Sequence, residues 1–219
     1  MITDMSEIHI FSGHYGSGKT ETAVNFAIAQ QKNGKDVTII DLDTVNPYFR
    51  TSDLRNMLED MGIRVIAGRF ASSNADMPLV PAELMSAFGN DGCFIFDVGG
   101  DEDGAYALGG YAEQIKRNGF EMHLVVNMRR PLTLAAAEVM ELKRGIEAAS
   151  RLEFTDIYNN TNLSRETDAD TLMSSAGELA ELERLSGLRV AKHCGTKKAL
   201  SGIDKSRAFP MELYLRLPF

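Results

Sequence analysis

Cysteine is scarce in this chain: Cys93 and Cys194 stand about 100 positions apart and no C-x-x-C pair occurs. That excludes the usual thiolate spacing of a zinc or iron–sulfur site within one chain, and the two thiols are expected to sit reduced in the core. No stretch approaches the roughly 18 apolar residues that a membrane span needs. Residues 1–7 carry no Lys or Arg and no apolar run, so neither an export signal nor a membrane anchor is expected. Positive charge is also short. Lys and Arg number 23 against 31 Asp and Glu, and the net charge of -8 argues against a phosphate backbone as partner. Repeats, low-complexity tracts and Pro/Ser-rich linkers are lacking, so residues 1–219 are read as one cytoplasmic domain.

What is present is enough apolar material, 44% of residues, for a sizeable core. Short apolar runs at 8–12, 37–41, 64–67, 93–97, 123–127, 156–159, 189–193 and 212–216 read as strands. Helical patterns at 20–32, 51–61, 81–88, 106–117, 132–149 and 168–185 lie between them, several stopped by Gly34, Gly62, Gly89 or Gly187. The alternation predicts an α/β fold: a doubly wound, mostly parallel sheet of seven to eight strands in three αβα layers. The end of the chain, residues 211–217, alternates like a strand rather than a basic amphipathic helix, so attachment to a membrane surface is not expected.

The strongest local signal is Gly13-His14-Tyr15-Gly16-Ser17-Gly18-Lys19-Thr20, placed between an expected strand and an expected helix. It fits G-x-x-x-x-G-K-[ST] at every fixed position, which makes the chain a P-loop protein. Glycines let successive backbone N–H groups curl around phosphates with no Cβ in the way. The positive end of the following helix adds its dipole. Lys19 is expected on the β- and γ-phosphates and the Thr20 hydroxyl on Mg²⁺, with Glu21 closing the nucleotide-binding set.

A phosphate loop alone leaves the magnesium half-coordinated and the attacking water unplaced, so acids are expected at strand ends. Asp41 and Asp43 close one buried strand, and Asp97 closes another, followed by Val98-Gly99-Gly100. Asp97 is read as holding a magnesium-bound water with Asp41 near the ion, and the Gly100 N–H as sensing the γ-phosphate. Asp43 is read as orienting or deprotonating water. The carboxyl ends of strands are where open α/β sheets bind ligands.

Taken together, the loop, the Asp41-Leu42-Asp43 strand end, the Asp97-Val98-Gly99-Gly100 motif and the Asn159-Asn160 strand end resemble the ParA/MinD-like ATPases. This branch includes the nitrogenase iron protein and cobyrinic acid amidation enzymes. The resemblance implies an ATP-switched protein that dimerises face to face over two nucleotides and acts on a protein partner. It implies Asp43 as the water-orienting acid, Asp97 as the second-switch acid, and an Asn after the sixth strand that reads adenine. Asn159 is the first expectation for that role and Asn160 the next; a turn is the alternative reading of the pair.

One position departs from the family pattern. Members carry a second lysine directly after the first glycine, where this chain has His14, whose neutral imidazole gives no fixed charge at pH 7. Arg50, Arg129 and Arg130 are the candidates to supply it, each also readable as a surface or ion-paired side chain. His9, His123 and His193 are read as packed residues with no metal site. Gly109-Gly110 marks either a hinge or a break between two helices. Two further functions fit the motifs: an ATP-dependent ligase similar to dethiobiotin or cobyrinate synthases, and a nucleotide sensor that does not hydrolyse.

Overall fold

The computed structural model describes residues 7–43, 51–67, 88, 91–100 and 102–215. Arg50, Asp101 and all but the last residue of the helix expected over 81–88 lie outside that set. The strands are β1 (Glu7–Ser12), β2 (Val37–Leu42), β3 (Arg64–Ala67), β4 (Cys93–Val98), β5 (Glu121–Val126), β6 (Asp156–Asn159), β7 (Val190–Gly195) and β8 (Ala208–Pro210). The helices are α1 (Lys19–Lys32), α2 (Arg55–Asp60), α3 (Glu102–Gly109), α4 (Ala112–Asn118), α5 (Ala136–Ser150), α6 (Ala169–Met173) and α7 (Ala176–Ser186).

All eight strands join one sheet in the order β3-β2-β4-β1-β5-β6-β7-β8, and every described pairing is parallel. The order reverses direction at β1, which lies between β4 and β5. That reversal opens a crevice at the carboxyl ends of the strands, the place where such sheets take ligands.

Strand alternation sends successive side chains to opposite faces, and each face has its own core. Phe11, Ile39 and Ile95 meet α1 and α2 through Val24, Phe26, Ala27 and Leu58. Ile8, Ile10, Phe94 and Phe96 meet the other layer through Leu108, Ile115, Val139, Ile146 and Leu182. Residues such as Phe11, Ile39 and Phe96 are fully buried, and each contributes about 1.5–3 kcal/mol by leaving water. Cys93 and Cys194 are free and buried, as expected of reduced core thiols. Burial pushes the Cys93 thiol up to about 12 and raises that of Cys194 as well.

The expected strand over 212–216 is corrected by the structure as far as residue 215, and Arg216 lies outside the described residues. The last strand is β8, and after Met211 N–H donates to the Gly195 carbonyl the ladder stops. From there α1 takes over. Asn25 Oδ1 accepts the Glu212 N–H at 2.8 Å, and the Glu21 carboxylate accepts the Tyr214 and Leu215 N–H groups at 2.6 and 3.2 Å. Backbone donors satisfied by helix side chains have no ladder left to join.

Three expected helices also differ. The pattern over 168–185 is two helices, because the Ser174 and Ser175 hydroxyls donate to the Thr171 and Leu172 carbonyls and compete with the helical bonds. The pattern over 106–117 breaks after Gly109, so Gly109-Gly110 is a break between α3 and α4. The helix expected from 132 begins at Ala136. Before it the Thr133 hydroxyl bonds the Asn127 carbonyl at 2.8 Å, and the Glu138 carboxylate accepts the Leu134 and Ala135 N–H groups.

Candidate functional site

Between β1 and α1 the chain must turn sharply beneath the crevice. Gly18 takes the left-handed conformation, φ 83°, just before Lys19 starts the helix. Two glycines lie where no side chain fits. A Cβ on Gly13 would collide with the Val125 carbonyl, and one on Gly100 would collide with the Gly13 carbonyl. The segment after β4 is thereby packed directly on the backbone of the loop. The Ser12 hydroxyl adds a bond to the Gly99 carbonyl at 3.4 Å.

Lys19 is buried, and its ammonium donates to the Asp43 carboxylate. Burial works against that charge, but Asp97, Asp43 and Asp41 outweigh it and hold the Lys19 pKa above its ordinary value. Asp41 and Asp97 are cross-strand partners on β2 and β4, and the Asp41 carboxylate accepts the Asp43 N–H at 3.1 Å. Three acids thus share one ammonium.

Asp97 is fully buried. Burial pushes its carboxyl up to about 7. Lys19 and the Thr20 side chain counter this, while Asp41 and Asp43 add to it. One of its oxygens accepts the Thr51 hydroxyl at 3.0 Å, and the other has no hydrogen-bond partner among the described residues. Ser17 Oγ, inside the loop, is likewise buried without a partner. A bound ion or phosphate would satisfy both. A hydroxyl (Thr20) beside carboxylates (Asp97, Asp41) is a hard-oxygen donor set that fits Mg²⁺.

The remaining expected residues divide. The His14 ring donates to the Tyr15 carbonyl at 2.9 Å, and Tyr15 and Gly16 face solvent. Asn160 holds the loop, its amide donating to the Ser17 carbonyl at 2.7 Å. Asn159, the first expectation for the base, is fully buried and turned away. Its amide meets His193 Nδ1 at 3.1 Å and accepts the Thr161 N–H and hydroxyl. The Glu21 carboxylate also points elsewhere, onto residues 214 and 215.

Two contacts escape sequence reasoning. Thr51 reaches Asp97 across 46 positions, with no local pattern to betray it. Asn162 follows the Asn pair in sequence, is half-buried, and donates to the Asn160 carbonyl at 2.6 Å. Of the candidate arginines, Arg130 borders the loop: a Cβ on Gly16 would stand 3.3 Å from its Nε. Arg129 turns away to the Ser174 hydroxyl at 3.0 Å.

A strand, a glycine cradle closed by a lysine and a helix, with acids at neighbouring strand ends, define a P-loop nucleotide-binding protein. The family model described as "CobQ/CobB/MinD/ParA nucleotide binding domain" matches residues 8–191, and the chain belongs to that family. No curated protein matches it. Among solved structures it is similar to FtsY from Mycoplasma mycoides, with 15% identity, a TM-score of 0.57, and 89% of this chain covering 61% of that one. It is also similar to the signal recognition particle 54 kDa protein from Aeropyrum pernix K1 in complex with GDP, with 20% identity, a TM-score of 0.56 and coverage of 91% and 43%. A third is the FtsY of Thermotoga maritima, with 21% identity, a TM-score of 0.56 and coverage of 88% and 63%. At these identities the likeness is one of fold, and this chain spans less than two thirds of each of those chains.

Proposed function

We propose that this chain binds Mg·ATP and acts as a slow cytoplasmic ATPase, a homodimeric switch whose nucleotide state governs binding to a protein partner. The observation that carries this reading is the buried Lys19–Asp43 ion pair at the mouth of the glycine cradle. A γ-phosphate that draws the Lys19 ammonium to itself releases the Asp43 carboxylate to orient water. One event then couples binding, the first acidic loop and the chemistry. Gly100, packed on Gly13, couples the second acidic segment to the same loop.

Thr20, Asp97 and Asp41 would hold the magnesium, which neutralises charge on the triphosphate when bound. Arg130, beside Gly16, offers from within the same chain the fixed positive charge that His14 lacks. For the base, side-chain chemistry favours adenine. Residues 159–162 offer amides and a hydroxyl but no carboxylate. Guanine presents two adjacent donors that suit a carboxylate, whereas adenine presents one donor and one acceptor, which suit an amide. The Asn160 amide touches the loop, and the Asn162 amide bonds the Asn160 carbonyl.

Calorimetry with Mg·ATP and Mg·GTP, together with turnover assays, tests this reading. Mg·ATP is expected to bind at least tenfold tighter than Mg·GTP. Lys19→Ala is expected to lose binding. Asp43→Asn keeps binding and loses hydrolysis, and Arg130→Ala lowers turnover with smaller effect on affinity. Equal turnover in wild type and Asp43→Asn removes that residue from its role, and binding unchanged in Lys19→Ala defeats the reading. Elution from gel filtration that does not shift with a non-hydrolysable ATP analogue defeats the dimer.

A further inference from the structure

At the opposite end of the sheet, the amino ends of the same central strands bring together a second group of side chains that the nucleotide site does not use. β1 opens with Glu7-Ile8-His9 and β5 with Glu121-Met122-His123, the same E-x-H pattern twice. The parallel register sets His9 beside Glu121 and His123 beside Asp156. Alternation then sends all of them to the α1 face of the sheet. His9 Nδ1 and His123 Nε2 stand 3.3 Å apart. A Glu121 carboxylate oxygen stands 3.3 Å from the former and 3.9 Å from the latter.

Those separations have a chemical meaning. Tetrahedral zinc with bonds of about 2.0–2.1 Å places its ligand atoms about 3.3–3.4 Å apart. Two of the three edges match, and the third closes with a small swing of Glu121, whose side chain is 61% exposed. The far nitrogens are also arranged for metal. His123 Nδ1 donates to the Asp156 carboxylate at 2.8 Å, which fixes the tautomer and leaves the Nε2 lone pair facing His9. His9 Nε2 faces the Glu7 carboxylate at 3.8 Å. Each imidazole is therefore backed by a carboxylate on the side away from the other.

We propose that His9 Nδ1, His123 Nε2 and the Glu121 carboxylate form a binding site for Zn²⁺, with Asp156 and Glu7 as the outer carboxylates and one coordination position open to solvent. His9 and His123 are almost fully buried while Glu121 lies at the surface, so the ion enters past Glu121. Cys93 groups with Glu7 and His9 and not with Glu121 and His123, which leaves it outside the ligand set. Hard cations prefer the all-oxygen site by the phosphate loop; two imidazoles select a transition metal.

The test is titration of the chelator-treated full chain with Zn²⁺ against a chromophoric competitor, in excess Mg²⁺ to occupy the acids of the nucleotide site. One equivalent is expected to bind to wild type and to Cys93→Ser alike. Glu121→Gln, at an exposed position that does not threaten folding, is expected to weaken binding tenfold or more, His123→Asn to abolish it, and Asp156→Asn to weaken it about tenfold. Co²⁺ in place of zinc is expected to give the intense visible bands of a tetrahedral site in wild type and to lose them in Glu121→Gln. Absence of zinc uptake, uptake of equal strength in wild type and Glu121→Gln, or loss of uptake in Cys93→Ser each overturns the assignment. Nucleotide binding in these variants is read separately, so failure here leaves the ATPase reading intact.

Discussion

A methyl group at position 100 has nowhere to go, because the Gly13 carbonyl fills the space it would take. Gly100→Ala must therefore push the segment after β4 off the phosphate loop. The expected result is a loss of Mg·ATP affinity of tenfold or more, about 1.4 kcal/mol, with helix content unchanged by circular dichroism. Affinity within twofold of wild type would detach Gly100 from the loop's function. At this scale the sequence was most legible where a motif is contiguous. The strand–loop–helix arrangement around Gly13 to Thr20 was legible because the turn and the helix start are consecutive. Residues that meet through strand register were harder to see. Glu121 fell outside the strand expected to begin at 123, so its pairing with His9 was hidden. Asn159 and Asn160 alternate across the strand end, and alternation sent the first into the sheet and left the second on the loop.

Among the elements, α1 has two duties. Its first turn belongs to the phosphate site, while Glu21 and Asn25 on its flank bind the backbone of residues 212–215. Glu21→Ala leaves the Tyr214 and Leu215 N–H groups without acceptors, which costs about 1–3 kcal/mol. The chain after Met211 is then expected to be cleaved sooner in limited proteolysis, with amide exchange in β1 and β4 unchanged. Cleavage at the wild-type rate would show that Glu21 does not hold this segment. Here too lies the reason that the expected last strand failed: residues 212–216 alternate like a strand, but the groups that capture the backbone of Glu212, Tyr214 and Leu215 lie 187 to 194 positions earlier. The split of 168–185 had a local cause, two adjacent serines able to bond their own helix, which hydrophobic spacing alone does not report.

For the whole molecule, acid should act through its buried imidazoles. Burial lowers the His193 pKa below its ordinary 6.5, the Arg207 charge lowers it further, and Glu183 opposes both. The folded chain therefore binds fewer protons there than the unfolded chain. This contribution is fully present above about 6.5 and is lost as the pH falls through that value and the unfolded state takes up its proton. Denaturant titrations at pH 7 and pH 5 are expected to show a smaller loss for His193→Gln than for wild type; an equal loss would mean that His193 does not carry the effect. The sheet itself was readable at this scale because its strands alternate with helices, the one arrangement that buries both faces of parallel strands.

The clasp between Lys19 and Asp43 has a last consequence for the proposed cycle. A triphosphate does not meet a bare cation but one already paired with a resident carboxylate, so the pocket presents little net positive charge to a distant anion. Attraction at a distance then contributes little, and added salt should weaken capture only slightly. Once the γ-phosphate has gone, the displaced carboxylate competes for its old partner, and the ion pair re-forms without outside help.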